Sequence, residues 1–246
     1  MKNKIKWYEK IFISLFSLFL IISTIWITVM LVTSAKAFFI FEFQKNDTVN
    51  VTGYSMEELS KITDVIIAFL FNKSDSMQVT INNQIVFSNQ AIKHMSDVRD
   101  LYNGGQIIGL VIFLLTIAIA IYFFFNWQRV KKHIFKYSVI VYVLLGVILL
   151  GLLVFAIVDF EKAFYWFHKA IFPDPAKFND AFFDTISNYP EAPGVDNQML
   201  VKILSNQLFM DVGIIIASFA TTALLAWTIF SLTMMIKSKK PHLNNI

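Results

Sequence analysis

The sequence contains no cysteine, which removes disulfides, thiolate nucleophiles and Cys-ligated zinc together. Any chemistry falls to oxygen and imidazole groups. Charge is scarce as well: Asp, Glu, Lys and Arg make up 15% of the 246 residues, against 57% hydrophobic ones. That balance lies outside the range of soluble domains, and the apolar surplus has to face lipid. The chain has no Gly-x-Ser-x-Gly elbow and no phosphate-binding loop, so neither an elbow-type serine nucleophile nor nucleotide hydrolysis is indicated. It also lacks an internal repeat, a low-complexity tract and a linker.

What it does have is four long stretches without Asp, Glu, Lys, Arg or His, at 11–35, 104–127, 137–158 and 212–236. About 20 apolar residues cross the roughly 30 Å of bilayer hydrocarbon, so each is long enough to span. The first follows a basic N-terminus and ends near Ala35-Lys36-Ala37, a pattern shared with signal peptides, but 25 uncharged residues exceed the core of a cleavable signal, and the segment reads as a retained anchor. The basic residues flanking the spans set the orientation. Residues 1–10, 128–136 and 237–246 hold eleven of the 21 Lys and Arg and a single acid, Glu9, whereas the other 16 acids lie in the two long loops, 36–103 and 159–211. Positive flanks stay in the cytoplasm, so both termini are expected inside and both loops outside. The net charge of +4 reflects that asymmetry and does not argue for nucleic acid.

The fold expected is an all-α membrane protein, four transmembrane helices carrying a small mixed α/β extracytoplasmic cap built from the two outer loops, in a single integral membrane domain over residues 1–246. Within the first loop, Ser55 and Glu58 form a capping-box pattern before an amphipathic helix to about Phe71, with Leu59, Ile62, Ile66 and Leu70 near one face. Asn82-Asn83, flanked by Val79, Ile81, Ile85 and Phe87, suits a tight hairpin turn. Ser88 is a candidate cap for a further helix leading into the second span, with Gly104-Gly105 a point where it can kink. The second loop reads as a continuation of the third span through Ala163 to Ala170, broken at Pro173 and Pro175, followed by an aromatic surface including Phe178, Phe182, Phe183 and Tyr189. Gly105-x-x-x-Gly109 permits close helix approach and is read as packing.

Two of the four histidines, His133 and His242, lie in the basic cytoplasmic segments; the other two, His94 and His168, lie outside. His94 precedes Gly104 by ten residues and His168 follows Val158 by ten, so on extended helices both stand about 15 Å along the axis from the apolar spans. The second and third spans share a short connector and are antiparallel neighbours, which lets the imidazoles face each other near the membrane interface. Carboxylates accompany both: Asp97 follows His94 by one turn, and Asp174 follows His168 across the proline break. Arg99 is a forked donor suited to an anionic headgroup or carbonyl. Spacing alone leaves three readings open: interfacial residues without chemistry, an acid–base pair, or a His/Asp metal site, the last weakened by the lack of a His-x-x-x-His pattern.

The run Phe87-Ser88-Asn89-Gln90-Ala91-Ile92-Lys93-His94-Met95-Ser96-Asp97-Val98-Arg99-Asp100-Leu101, together with Phe167-His168-Lys169-Ala170-Ile171-Phe172 after the third span, resembles the lipoprotein intramolecular transacylase family, Lit. The resemblance covers the order of four spans, the His-Met-x-Asp-Val-basic motif before the second and the Phe-His motif after the third. It departs at Ile62-Thr63, where the family has an Asn-Tyr pair, and after His168, where a tryptophan is usual. The resemblance implies a bacterial plasma-membrane enzyme that moves the sn-2 acyl chain of a diacylglyceryl-modified lipoprotein onto the α-amine of its N-terminal cysteine, leaving an N-acyl lyso-lipoprotein, with no cofactor, metal or nucleotide. It places catalysis on His94 and His168, with Asp97, Arg99 and, in the second loop, Asp184 in support. His94 held by Asp97 would take the proton of the amine while His168 orients the ester, although the sequence leaves the division of roles open. The rival readings are a non-enzymatic membrane sensor or accessory protein and a metal-dependent membrane hydrolase.

Overall fold

A computed structural model describes residues 4–171 and 195–239. Expectations placed on Phe172, Pro173, Asp174, Pro175, Phe178, Phe182, Phe183, Asp184, Tyr189 and His242 lie outside the described residues. Four helices are long and apolar enough to cross a membrane: α1 (Trp7–Ser34), α5 (Asn89–Phe125), α7 (Ile134–Val158) and α10 (Asn206–Lys239). Shorter elements are α2 (Lys36–Lys45), α3 (Thr48–Thr52), α4 (Met56–Leu70), α6 (Trp127–Val130), α8 (Phe160–Ile171) and α9 (Met199–Ile203). Their order bears out a multi-pass, all-α membrane protein with a minimal sheet. The chain divides into two compact units, one of Met1–Val29, Gln106–Leu153 and Ile214–Ile246, the other of Met30–Gly105 and Val154–Gly213.

The first unit has little buried core because its partner is lipid. On α7, Ile140, Val143, Leu144, Val147, Ile148 and Leu152 are all exposed, as a bilayer-facing helix requires. Beside small apolar clusters such as Phe16, Phe123 and Trp227, its interior holds polar contacts. Ser17 Oγ donates to Ser138 Oγ at 2.7 Å and the Trp227 indole N–H donates to the same Ser138 oxygen at 3.3 Å. Ser23 and Thr116 hydroxyls meet at 3.2 Å. Hydrogen bonds of this kind hold helices together where the hydrophobic effect offers no preference for protein over lipid. Near the start of α1, Glu9 is fully buried. It accepts from the Lys6 backbone N–H at 2.8 Å, Tyr122 Oη at 2.9 Å and Arg129 Nε at 2.7 Å. The one acid among the basic flanks is therefore neutralised by their single arginine, since an unpaired buried carboxylate would cost several kcal/mol. A Cβ on Gly109 would lie 2.2 Å from the Trp26 ring, whereas one on Gly105 meets nothing within 4 Å. Only the second glycine of the Gly-x-x-x-Gly pattern thus serves close packing.

The second unit has a compact apolar core of its own. The capping box at Ser55 and Glu58 is present, and Leu59, Ile62, Ile66 and Leu70 are all buried, as the 3.6-residue spacing of α4 predicts. They pack with Phe39 and Phe43 of α2, Met77, Val86 and Phe87 around the hairpin, Met95 of α5 and Leu208 of α10. The hairpin pairs β1 (Thr80–Ile81) with β2 (Gln84–Ile85) in antiparallel register. Asn82 and Asn83 both have positive φ, 52° and 63°, the two-residue turn that asparagines tolerate. The strands are shorter than the apolar alternation implies, and Ile85 is exposed while Val86 is buried.

The helix runs unbroken through Gly104-Gly105, and nothing presses on either glycine. One expectation is corrected. The third span does not run on as one helix. It ends at Val158, and α8 begins at Phe160, with the Asp159 carboxylate accepting the Lys162 N–H at 3.0 Å. A short acidic side chain at this position caps a new helix start in preference to extending the old one.

Candidate active site

His94 and His168 both belong to the second unit, and the structure brings them together: their ring centroids are 6.2 Å apart and their planes within 26° of parallel. At that separation the rings do not hydrogen-bond each other, yet one small substrate group can meet both. His94 sits on the polar first part of α5, ahead of the uncharged stretch that begins at Gly104. Ser88 starts this helix, its Oγ accepting the Ala91 N–H at 3.1 Å, and buried Ala91 and Met95 on either side of His94 fix the helix on the core.

His168 is buried on α8. Its Nδ1 lies 2.8 Å from the Phe164 carbonyl oxygen. A carbonyl only accepts, so Nδ1 carries the proton and Nε2 is the nitrogen with the lone pair. Phe160, Phe164 and His168 recur every four residues along one face of α8, with Phe160 and Phe164 stacked at 5.6 Å and the Phe164 ring 3.9 Å from the imidazole centroid.

Both imidazoles are held towards the neutral form. Burial pushes His94 down to about 4, the nearby His168 adds to that, and Asp97 opposes it. Burial lowers His168 too, partly offset by the hydrogen bond to Phe164. Asp97 follows His94 on the same helix and is close enough to act on it through its charge. Arg99 does not join the pair. Five residues past His94 it falls about 140° round the helix, where its guanidinium lies 4.3 Å from the Phe69 ring centroid and ties α5 to α4. Asp174 and Asp184 lie outside the described residues. Among the described residues no group of three His, Asp or Glu side chains assembles as a metal site.

Sequence reasoning passed over two features of this unit. The Phe-x-x-x-Phe-x-x-x-His ladder was readable at its four-residue spacing. The other feature is a carboxyl pair. Glu42 on α2 is buried and hydrogen-bonded to Asp211 of α10, which also takes the Lys45 ammonium, while Asn46 Nδ2 donates to Glu42 at 3.0 Å. It joins residues 169 positions apart, and no local pattern announces it.

The sequence profile of the lipoprotein intramolecular transacylase Lit matches residues 13–191. No curated protein matches the sequence. Among solved structures, the in meso structure of membrane-integral Lit from Bacillus cereus superposes with a TM-score of 0.72 at 18% identity, over 94% of this chain and 98% of that one. Forms of the same protein carrying a histidine-to-arginine and a histidine-to-alanine mutation both superpose at 0.67, with 16% and 15% identity, over 94% of this chain and 94% and 96% of theirs. At such identities the structures speak for the fold, and the profile, spanning well over half of the chain, speaks for descent. The chain belongs to the lipoprotein intramolecular transacylase family and is a multi-pass membrane acyltransferase that acts on lipoproteins.

Proposed function

We propose that this protein transfers the sn-2 acyl chain of a diacylglyceryl-modified lipoprotein to the α-amine of its N-terminal cysteine, and that His94 and His168 perform the proton transfers at the outer membrane interface. The observation that carries this reading is the pairing of the two imidazoles at 6.2 Å. Ester and amine belong to one substrate, so high effective molarity supplies much of the rate, and the enzyme needs a base and a donor for the oxyanion.

The hydrogen bond to Phe164 supports one division of the roles. His168 presents Nε2 as a proton acceptor, whereas His94, held down to about 4, is a weak base at neutral pH. In this mechanism His168 Nε2 takes a proton from the cysteine amine as its nitrogen attacks the sn-2 carbonyl. The neutral His94 donates its ring N–H to the oxyanion of the tetrahedral intermediate, and the charge of Asp97 favours the positive charge that builds on the ring as it donates. The C–O bond to glycerol then breaks, and the His168 imidazolium returns its proton to the departing glyceryl oxygen. The products are an amide and a free sn-2 hydroxyl, and no proton is gained or lost. This gives the proton-accepting role to His168 and not to His94.

In the same proposal residues 1–246 act as one integral membrane domain with both termini cytoplasmic and the histidine-bearing unit outside, in keeping with the basic flanks. Arg99 supports the site by fixing α4 on α5, and Asp174 and Asp184 supply acids from the second loop. Mass spectrometry of the N-terminal lipopeptide from a transacylase-free bacterium carrying this chain tests the reading. N-acyl, S-monoacylglyceryl cysteine is expected with the wild type and not with His94→Ala or His168→Ala. An unchanged diacylglyceryl form in cells that hold the wild-type protein in the membrane refutes it.

A further inference from the structure

His168 does not stand on its own helix alone. The Phe164 ring that lies against it is also met by Phe209 of α10, with ring centroids 5.5 Å apart. Phe209 is itself partly exposed, and the first turn of the helix that carries it is held by its neighbours. Ser205 Oγ accepts the Leu208 N–H at 3.3 Å, Leu208 is buried in the core of the unit, and Asp211, one short step on, pairs with Lys45 of α2. The anchored start of α10 places the Phe209 ring against Phe164, and Phe164 contributes both the carbonyl that orders Nδ1 and a ring beside the imidazole.

We infer that Phe209 is a positioning residue for His168, acting through Phe164 to hold the imidazole in the Nδ1-protonated form with Nε2 aimed at the substrate. This rests on the reading of His168 as the base. Truncating Phe209 opens space beside Phe164, loosens the carbonyl–imidazole bond and admits solvent to the ring. Misplacing a reacting group by about 1 Å costs on the order of a hundredfold in rate, and a partly loosened ring should cost somewhat less. KM should stay nearly constant, because Phe209 does not touch substrate in this arrangement.

The test uses the full chain in detergent with isotope-labelled histidine, the His168 resonance being assigned from the His168→Asn protein. In Phe209→Ala the His168 titration is expected to move up towards the ordinary histidine value of about 6.5, and kcat to fall on the order of tenfold or more with little change in KM. Phe209→Tyr, which keeps the ring, should restore both. Phe209→Val should shift them in the same direction by a smaller amount, and it carries the test if the alanine protein does not accumulate. A His168 titration unchanged in the truncated variants overturns the inference. A shifted titration with unaltered kcat supports the packing link and overturns instead the reading of His168 as base.

Discussion

The His94 and His168 imidazoles, contributed by helices α5 and α8 and separated by 73 residues of chain, lie nearly parallel at 6.2 Å. At that separation the rings do not hydrogen-bond each other. Removing either should cost about 10²–10⁴ in rate, the range of a general acid–base group, with the double variant no worse than the more damaging single one if they act on one proton path. Turnover of a diacylglyceryl lipopeptide by His94→Ala, His168→Ala and the double variant, followed by mass spectrometry, measures this; additive losses would contradict a shared path.

Burial lowers both histidines below their ordinary value, His94 to about 4. The active form of both rings is the neutral one, so neither should take up a proton as pH falls from 7 through about 6.5, and the acid limb of kcat/KM should follow the substrate's α-amine, with an ordinary value of about 7.7–8.0, and not the histidines. Stability follows the same sign: the unfolded chain binds protons between about 6.5 and 4 that the folded chain refuses, so this contribution is complete above the unfolded value and is lost as pH falls through the window. Titration of His94 and His168 in the substrate-free protein, followed by NMR, checks this, and values at or above about 6.5 would contradict the buried, neutral pair.

Glu42 behaves in the opposite sense. Burial and the neighbouring Asp211 push its carboxyl up, opposed by Asn46 and Lys45. Stability from the protonated Glu42 is complete below the ordinary Glu value and is lost as pH rises through the raised folded value. Glu42→Gln, which keeps a donor towards Asp211, should flatten that part of the curve. Thermal midpoints of the two proteins against pH decide it, and parallel curves would refute the contribution.

At Gly109 an added methyl group would lie 2.2 Å from Trp26, closer than packed atoms tolerate, and a ring near its attachment point has little freedom to yield. Gly109→Ala should lower the thermal midpoint by on the order of several degrees, and Gly105→Ala should leave it nearly unchanged. Equal effects would restore the two glycines to a single motif.

Glu9 sits without exposure between Tyr122 and Arg129. Truncating one partner of such a pair strands the other charge away from water. Arg129→Ala should therefore be more damaging than replacing both residues, Glu9→Gln with Arg129→Gln, and thermal midpoints of the three proteins should show that order.

Much of this architecture could be read along the chain. Spans were legible because lipid demands uninterrupted apolar runs of a set length. The α4 helix was legible because a capping box and a 3.6-residue stripe are local, and the hairpin because two asparagines in sequence accept positive φ. The candidate histidines stood out by motif and by matching distance from the spans. Harder to read was anything that depends on which face of one helix meets another. Arg99 lies in the His94 motif yet points to Phe69, because five residues of helix turn it away.

Local patterning therefore sufficed for the number of spans, the caps, the turn and the pair of histidines, since each follows from hydrophobic length or from hydrogen bonds within a few residues. Folding in three dimensions was needed to show that His168 has its tautomer set by Phe164, that Phe209 backs that residue from a distant helix, and that Glu42 shares its burial with Asp211. Those relationships join segments far apart in the chain, and the protonation of a buried group depends on everything packed around it, not on its neighbours in sequence.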